Sequence, residues 1–414
     1  MPVPDPRPEA VGELPATSDL LVVGAGAMGS WTAHHAREGG GRSVTLLDAF
    51  GAGHSRATSG DETRIIRASH GTDRFYTRWS RRAREAWLAY GEAWGVPLML
   101  PTGTLWFAAQ EDGYEARSAE ALAAEGVPFE RVSPQELEAR WPQISGKGLA
   151  WALYEPEGGT LMARLGCQAV VQAFKDLGGR YGVAAVRPGR SKGGRLLDVV
   201  DGSGRRWSAE SFVFACGPWL RWLFPEQLEP ILRVTKQDVL YMGPARGDVR
   251  FRPESMPSWV EYARAYYGIG AVSDRGFKLA PDRYGPVFDP TDGERVVDPD
   301  AIRLARLYLA ERFPSLASAP VVETRVCQYE TTPDSNFIID RLPGFANVWI
   351  AGGGSGHGYK HGPRIGEYLV ARLDGAELGA QDGPAEARFT LGPRVADPGA
   401  RTSGDEMARD WSPI

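Results

Sequence analysis

The sequence predicts a protein of mixed α/β and α+β class, in which a Rossmann-like nucleotide-binding domain is interleaved with an antiparallel-sheet substrate domain. Three observations lead to this prediction. A strand, a glycine turn, a helix and a second strand follow one another over residues 18–48. Residues 234–287 are rich in tyrosine and β-branched residues with turn signals between them, which is typical of an antiparallel sheet. A further strand, glycine loop and helix occupy residues 348–373.

The first of these stretches has the layout of a dinucleotide site. Residues 20–23 form a short apolar run suited to a buried parallel strand, and glycines at G-x-G-x-x-G spacing follow it. Such glycines allow a tight turn, a close approach of the backbone to a pyrophosphate, and close packing of helix on strand. The helix from about Ala27 would direct its N-terminal amides at the phosphates, and Asp48, 19 positions beyond the last glycine, would accept a hydrogen bond from a ribose hydroxyl. The predicted cofactor contacts here are Gly24, Gly26, Met28, Gly29 and Asp48.

Composition and charge exclude several classes of protein. The net charge of −5 and the pI near 5.8 argue against nucleic acid or an anionic membrane as the main partner. No run approaches the roughly 18 apolar residues of a membrane span. Residues 1–17 lack the basic-then-apolar order of a secretory signal, so we expect a flexible leader and a cytoplasmic protein.

The cysteines and histidines give no sign of a metal site. Cys167, Cys216 and Cys327 have no spacing suited to metal or to a disulfide framework, which favours a reducing compartment. The six histidines are scattered along the chain, so we expect no zinc.

Pieces of the two domains alternate along the chain. We expect the nucleotide-binding domain at 18–80, 145–220 and 320–380, and the substrate domain at 81–144 and 221–319. Glycine, proline and charge content rises towards the C-terminus, which predicts a disordered tail over 395–414. The alternation of the two domains along the chain is more typical of flavoproteins than of nicotinamide dehydrogenases.

Three segments, taken in order, resemble one known family. GAGAMG with SGDETRIIR comes first, followed by RVCQYETTPDSNFIID and then GGGSGHGYKHGPRIGE. Together they resemble the monomeric sarcosine oxidase and N-methyltryptophan oxidase group of the D-amino-acid-oxidase-like FAD enzymes, over about residues 18–392. The resemblance implies an FAD extended beneath the glycine turn.

The resemblance also implies how the flavin is held. Cys327, in the C-x-Y context of VCQYE, matches a cysteine that bonds covalently to the flavin through sulfur, and Arg325 or the flavin itself could help to form the thiolate. The alternative is a buried, inert strand cysteine. Arg64 matches an arginine that lies against the flavin ring. His357 would orient the second glycine loop rather than act as a base. The implied flavin contacts of that loop are Gly354, Gly356, His357, Gly358 and Lys360.

Three cationic residues match those that serve oxygen and substrate in this family. Lys278, in GFKLAPD, matches the lysine behind the flavin, where a fixed positive charge stabilises superoxide as it forms. Arg67 and Lys360 match the arginine and lysine that bind the substrate carboxylate. The alternative for Arg64 and Arg67 is that they are surface charges on one face of a helix.

The expected pocket resembles that of the family in part. Tyr267 and Tyr329 match tyrosines that line it, although an aromatic residue is more often part of the core. Ser59 stands where the family has a histidine, and SGDETR has one extra residue. Asp282 replaces a second pocket histidine; it favours a cationic substrate or is a turn residue. These departures argue against sarcosine itself as the substrate.

The resemblance therefore implies an FAD-dependent amine oxidase. It would oxidise a C–N bond of a secondary amine, an N-methyl amino acid or a related amino acid to an imine, with dioxygen reduced to hydrogen peroxide, and it would be a monomer. One alternative is a flavin dehydrogenase that oxidises a cyclic imino acid or a biosynthetic intermediate with another electron acceptor. A second alternative is a non-catalytic FAD-binding scaffold or redox sensor.

Overall fold

The computed structural model describes residues 6–379 and 382–395. Its α-helices are α1 (Ala27–Glu38), α2 (Arg74–Trp94), α3 (Tyr114–Ala124), α4 (Pro134–Arg140), α5 (Ala163–Asp176), α6 (Leu220–Leu223), α7 (Pro225–Leu228), α8 (Pro299–Arg312), α9 (Gly362–Leu373) and α10 (Gly383–Arg388). Its β-strands are β1 (Thr17–Val23), β2 (Val44–Asp48), β3 (Thr63–Ile66), β4 (Met99–Leu100), β5 (Thr104–Ala108), β6 (Glu130–Val132), β7 (Trp151–Glu155), β8 (Gly159–Met162), β9 (Arg180–Val183), β10 (Val186–Pro188), β11 (Ser191–Lys192), β12 (Arg195–Leu196), β13 (Asp198–Asp201), β14 (Arg206–Phe214), β15 (Arg233–Met242), β16 (Ser258–Glu261), β17 (Tyr266–Ile269), β18 (Phe277–Pro281), β19 (Val321–Thr331), β20 (Ile338–Arg341) and β21 (Val348–Gly352).

The first large sheet has a parallel core with the strand order β21–β14–β1–β2–β9. β20 pairs antiparallel with β21. β13 pairs antiparallel with the first half of β14, and β10 pairs antiparallel with β13, so these two strands extend the sheet. Leu20 and Val22 of β1 pack in one core with residues of α1, α5 and α9, whereas Leu21 and Val23 join the core on the opposite face. Because both faces are covered, the run 20–23 is apolar throughout instead of alternating.

The second large sheet has the strand order β19–β15–β18–β17–β16–β5–β7–β6. Its pair β16–β5 is parallel and its other pairs are antiparallel. On one face, Trp259 and Phe277 pack with Phe313, which follows α8. The opposite face presents Val239 and Tyr267 to a large cavity between this sheet and the first one. The predicted combination of a Rossmann-like and an antiparallel part is confirmed.

A small sheet, β3–β8–β4, lies beside this cavity. The chain then runs from β3 to α2, and α2 begins after Asp73, whose carboxylate accepts hydrogen bonds from the backbone amides of Phe75 and Tyr76 at 3.1 and 3.4 Å. We call residues 63–73 the β3–α2 segment. Among the helices of the described residues, none has the length and apolar content needed to cross a membrane.

The structure differs from the predicted flexible leader over residues 6–16. The backbone amide of Glu9 donates to the carbonyl of Tyr181 at 2.8 Å, and the side chain of Leu14 is buried against Gly182. These contacts form because β9 is the outer strand of its sheet and has backbone groups available for pairing. Residues 1–5 and nearly all of the predicted tail lie outside the described residues.

Two strands that we expected in the first large sheet belong to the second one. β7 and β19 fall within segments predicted for the nucleotide-binding domain, yet they pair with β5 and β15 of the second sheet. Sheet membership depends on partners far along the chain, which strand patterning does not specify. The division into domains stays a prediction.

The glycine turn after β1 requires its glycines for steric reasons. Gly24 has a φ of 105°, and a Cβ there would overlap the carbonyl of Ala215, which follows β14. A Cβ on Gly29 would overlap the carbonyl oxygen of Gly24, because α1 packs directly on the turn.

We predict that Gly29→Ala reduces the free energy of unfolding by about 1–3 kcal/mol and lowers the flavin content, because the added methyl group separates α1 from the turn. Gly39→Ala is the matched control, since Gly39 ends the same helix with a φ of −63° and its nearest neighbouring atom would lie 3.7 Å from the new Cβ. Urea unfolding and flavin absorbance per chain measure both. Equal stability of the two variants would contradict the steric argument.

Candidate active site

One long cavity runs between the two large sheets. Its wall includes Asp48 and Phe50 at the end of β2, together with Arg67, Tyr267 and Lys360. The glycine turn, the second glycine loop and β19 also line it. Nearly all of the residues predicted from the sequence as site residues therefore border a single space.

The glycine turn and Asp48 form the nucleotide end of this cavity. Oδ2 of Asp48 accepts from the amide of Ala25 at 2.7 Å, and Oδ1 accepts from the amides of Phe50 and Gly51, each at 2.8 Å. These bonds fix the carboxylate at the cavity wall, and its remaining lone pairs can accept from ribose hydroxyls. Gly24, Gly26 and Met28 line the cavity as predicted, whereas Gly29 lies behind the turn.

A second glycine loop, residues 353–358, forms a further part of the cavity wall. Gly353 and Gly356 have φ values of 66° and 71°, so the backbone turns twice in conformations that favour glycine. Nε2 of His357 donates to the carbonyl of Ser335 at 2.9 Å, and its ring stacks on Phe337 with 4.8 Å between ring centroids. This contact supports the predicted orienting role of His357. The predicted loop residues Gly354, Gly356, His357, Gly358 and Lys360 all line the cavity.

The residues present fit an extended dinucleotide cofactor. The N-terminus of α1 meets the cavity at Gly26, with no side chain capping its amides. A Cβ at Gly26 would come within 3.2 Å of the Ser59 hydroxyl and narrow the space above these amides. Exposed helix-terminal amides and side-chain-free backbone are the features that bind a pyrophosphate.

Cys327 lies on β19 and lines the same cavity. Nη2 of Arg64 lies 3.7 Å from its sulfur. Arg325, which the sequence suggested as the neighbouring cation, is directed instead at carboxylates, with its Nη1 at 3.2 Å from Glu62 and 3.4 Å from Asp61. The guanidinium that can stabilise a thiolate at Cys327 is therefore that of Arg64.

Asp61 is the centre of a buried charge network that sequence reasoning missed. Its carboxylate accepts hydrogen bonds from Nζ of Lys278, from the hydroxyl of Tyr241 and, at 3.0 Å, from Nη1 of Arg64. Burial alone would raise the pKa of Asp61, but the charges of Lys278 and Arg64 outweigh burial and hold that pKa well below its usual range. Asp61 is therefore ionised, although it is only 6% exposed.

Lys278 lies on β18 one layer behind the cavity wall. Its Nζ bonds to Asp61, which lines the cavity, and donates to the carbonyl of Thr63 at 2.9 Å. Burial lowers the pKa of Lys278, and the charge of Asp61 opposes that shift. The side chain is buried, as the sequence pattern suggested, and a counter-ion supports its positive charge.

Arg67 and Lys360 are buried cations in the wall of the cavity. Both are 3% exposed and both line the cavity. Arg67 lies 4.7 Å from the ring of Trp106, and Lys360 donates to the carbonyl of His357 at 3.0 Å. Burial, and then the charges of Arg67 and Lys360, hold the pKa of His70 well below its usual value. His70, three residues after Arg67, lies with its ring 5.8 Å from that of His361, which follows Lys360, so the segments that carry the two cations meet here.

The position of Arg67 depends on a residue that the sequence did not indicate. The carboxylate of Glu155, on β7, accepts from the amide of Ala68 at 2.7 Å and from the indole of Trp106 at 2.9 Å, and it also receives the Ser69 hydroxyl. Glu155 therefore holds the backbone next to Arg67. The alternative of surface charges on a helix is wrong for Arg64 and Arg67. Arg64 lies on β3 with its side chain 18% exposed, and Arg67 lies just after β3 and is 3% exposed.

Tyr267, Tyr329 and Asp282 line the cavity together. The hydroxyl of Tyr329 donates to Oδ1 of Asp282 at 3.1 Å. Burial raises the pKa of Tyr267 above its usual value, so its phenol stays protonated at neutral pH. The acid that replaces a family histidine is thus part of the pocket wall and not a remote turn residue.

Glu330 is another cavity residue that was not predicted. It accepts from the amide of Gly353, at the start of the second glycine loop, and burial raises its pKa to about 7.

Burial also raises the pKa of Cys167 to about 11 and that of Cys216 above its usual value, so both thiols stay protonated at neutral pH.

A glycine turn, an acid at the end of the next strand and a second glycine loop around one cavity define a nucleotide-cofactor protein of the flavoprotein class. Residues 19–372 match the family described as FAD dependent oxidoreductase (DAO), and the chain belongs to this family. FAD as cofactor and the predicted class of FAD-dependent oxidoreductase are thereby confirmed.

Individual relatives agree with this assignment. The chain is 30% identical to human peroxisomal sarcosine oxidase over 366 residues, which is 85% of this chain and 90% of that protein. It is 27% identical to N-methyl-L-tryptophan oxidase of Shigella sonnei, over 84% of this chain and 93% of that one. A modified fructosyl peptide oxidase from Aspergillus nidulans has the same fold, with a TM-score of 0.81 at 19% identity over 94% and 97% of the two chains. The predicted resemblance is confirmed, whereas the roles of individual site residues stay predictions.

We predict that Asp61→Asn lowers the free energy of unfolding by about 3–5 kcal/mol at pH 7, because it leaves the buried charge of Lys278 without its carboxylate. The pKa of Asp61 is lower in the folded state, so its stabilisation is complete above the unfolded value near about 4 and is lost in more acid solution. Urea unfolding at several pH values should therefore show a difference from wild type that shrinks below about pH 4.

The control for this prediction is Asp300→Asn, which removes the partner of Arg303 in a pair whose side chains are 72% and 61% exposed. We expect a change of no more than about 1 kcal/mol there. A loss at Asp61 no larger than the loss at Asp300 would show that the buried network does not stabilise the fold.

Proposed function

We propose that the protein is an FAD-dependent amine oxidase that oxidises a C–N bond of a secondary amine, an N-methyl amino acid or a related amino acid to an imine and releases hydrogen peroxide. The main support is that two buried cations, Arg67 and Lys360, line the same cavity as Cys327 and the glycine turn. FAD, when bound, would supply the acceptor for the hydride that leaves the carbon of the C–N bond, and dioxygen would then take up the two electrons. The chain itself binds and orients the substrate and supplies fixed charges.

Arg67 and Lys360 suit a substrate carboxylate. The arginine presents a planar fork to two oxygens, and the lysine adds a compact positive charge. Because Glu155 holds the backbone beside Arg67 and Trp106 packs on its guanidinium, the fork is positioned before a substrate arrives. A pre-positioned fork reduces the entropy that binding costs. The substrate class is thus an amine that carries a carboxylate.

Lys278 suits the activation of dioxygen. Its ammonium is fixed by Asp61 and by the carbonyl of Thr63, and a fixed charge near the cavity stabilises superoxide as it forms without reorganisation. Asp61 keeps the ammonium protonated but also offsets part of its field.

Cys327 suits a covalent link to the flavin. The thiolate is the reactive form of cysteine, and the Arg64 guanidinium lies 3.7 Å from the sulfur. The bond would form with loss of the thiol hydrogen and one hydrogen of the flavin methyl group, and dioxygen would take up the two electrons. The monomeric state and the cytoplasmic location stay predictions.

The function is tested with purified flavoprotein and pairs of amines that differ in one group. Each N-methyl or cyclic amino acid is compared with its methyl ester, which keeps the amine and removes the carboxylate charge. Peroxide release in air tests the oxidase, and reduction of a dye acceptor without oxygen tests the dehydrogenase. Dye reduction without peroxide would replace the oxidase by the dehydrogenase, and no flavin reduction by any amine would favour a scaffold.

We predict that Arg67→Gln lowers kcat/KM for the carboxylate substrate by roughly 10- to 100-fold, because charge-assisted hydrogen bonds of about 1.5–3 kcal/mol are lost. The methyl ester should be affected much less, and kcat/KM for the two compounds should converge. Arg303→Gln is the control, since the side chain of Arg303 is 61% exposed and pairs with the exposed Asp300. An equal loss for acid and ester would show that Arg67 does not bind the carboxylate.

We predict that acid precipitation of the wild type gives a yellow pellet whose mass exceeds the chain by FAD less two hydrogens, and that Cys327→Ser gives a colourless pellet. Cys216→Ser is the matched control, because Cys216 lines the same cavity without the guanidinium contact. Intact mass spectrometry reads both variants. A colourless wild-type pellet under a yellow supernatant would remove the covalent link and leave the flavoenzyme.

A further inference from the structure

Three of the six histidines, scattered in sequence, meet in the fold. His70 lies in the β3–α2 segment, His357 in the second glycine loop and His361 immediately before α9. All three are buried, with exposures of 6%, 5% and 0%. One ring nitrogen from each lies within 4.8 Å of one from each of the others, and the ring centroids are 5.8–6.1 Å apart. We call these residues the histidine cluster.

Hydrogen bonds set the tautomers of two of these rings. Nδ1 of His70 lies 3.0 Å from the carbonyl of Ala68, and Nε2 of His357 lies 2.9 Å from that of Ser335. A carbonyl only accepts, so each of these nitrogens carries the hydrogen, and in the neutral ring the other nitrogen carries a lone pair. Backbone carbonyls commonly orient metal-binding histidines in this way.

The Nε2 atom of His70 is the clearest sign of a missing ligand. It is buried, and within residues 6–379 and 382–395 no hydrogen-bond partner lies next to it. A buried polar atom in this condition costs free energy unless a ligand or a water molecule satisfies it. In the tautomer just described, this atom is a lone-pair donor.

Aromatic rings enclose the histidine cluster. The ring of Tyr76 lies 4.8 Å from His357, 5.4 Å from His361 and 5.7 Å from His70. Phe337 adds contacts of 4.8 Å to His357 and 5.6 Å to His361. The cluster therefore lies among aromatic rings, and His357 also lines the cavity.

We propose that His70, His357 and His361 form a binding site for a divalent transition-metal ion, zinc in particular. Neutral imidazole is a preferred ligand of zinc, and three histidines with a solvent molecule in the fourth position form a known type of zinc site. Zinc–nitrogen bonds of about 2.0–2.1 Å in a tetrahedral site place the nitrogens about 3.3 Å apart, so small side-chain rotations must bring the rings together. Among the residues described, the cluster has no carboxylate or thiol as a fourth member.

The metal would connect the two segments that present the cations of the cavity. His70 follows Arg67 by three residues, and His361 is adjacent to Lys360. The charges of Arg67 and Lys360 oppose a divalent cation, so we expect a micromolar dissociation constant and not the tighter binding of structural zinc sites. The proposed metal site does not rest on the proposed amine oxidation. Its test measures metal content, which requires no turnover.

The experiment uses the flavin-loaded protein, freed of metal by a chelator and then dialysed to equilibrium against zinc sulfate at several times the expected dissociation constant. We expect metal analysis to find one zinc ion per chain, and at least a tenfold lower content in His70→Gln and in His361→Gln. His35→Gln is the matched control, because His35 lies beside His34 and Glu38 on α1, another place where imidazole and carboxylate side chains come together. Zinc that is unaffected by the two cluster variants, or that is lost with His35→Gln, would overturn the proposal.

X-ray absorption at the zinc edge identifies the zinc ligands in the wild-type protein, so this test does not require that a variant folds correctly. We expect nitrogen ligands at about 2.0–2.1 Å with imidazole scattering and no sulfur near about 2.3 Å. Sulfur in the first shell would assign the metal to a cysteine, and no retained zinc would refute the site. Flavin absorbance and melting temperature of each variant show whether a loss of zinc follows from misfolding.

Discussion

The buried carboxylate of Asp61 is the interaction on which the wall of the active-site cavity depends. It joins Arg64 on β3, Tyr241 on β15 and Lys278 on β18, so one side chain links the small sheet to the second large sheet. A single negative charge thereby permits two cations to be buried next to each other. Arg64 in turn reaches the sulfur of Cys327 on β19, which connects this network to the predicted flavin link.

The two glycine loops meet because of strand order. β1 and β21 lie on either side of β14 and run parallel to it, so their carboxyl ends emerge at the same edge of the sheet. Cofactors in open α/β sheets bind outside the carboxyl ends of the strands, and here two glycine loops approach that position from different parts of the chain. The antiparallel sheet closes the opposite side of the cavity. One sheet therefore holds the nucleotide and the other carries Lys278, Cys327 and the tyrosines.

Local features of the fold were predictable because they depend on neighbouring residues. The apolar run before Gly24, the helix after it and the acid at the end of β2 all follow from patterns a few residues long. The positions of β7 and β19 were not predictable in this way, since each strand pairs with a partner that the local sequence does not specify. The same reason accounts for residues 6–16, whose order comes from contacts with Tyr181 and Gly182.

The glycine spacing of the sequence by itself determined the nucleotide-binding class of the protein, because short motifs encode local backbone geometry. The resemblance of three segments to a known family indicated FAD and most of the residues around the cavity. Only the tertiary structure decided which charges meet. Lys278 and Asp61 are 217 positions apart, and the partner of Cys327 is Arg64 and not the nearby Arg325. His70 likewise meets His357 and His361 only in the folded chain. Electrostatic and metal-binding chemistry depends on distances of a few ångströms in space, and these distances are set by how the sheets pack.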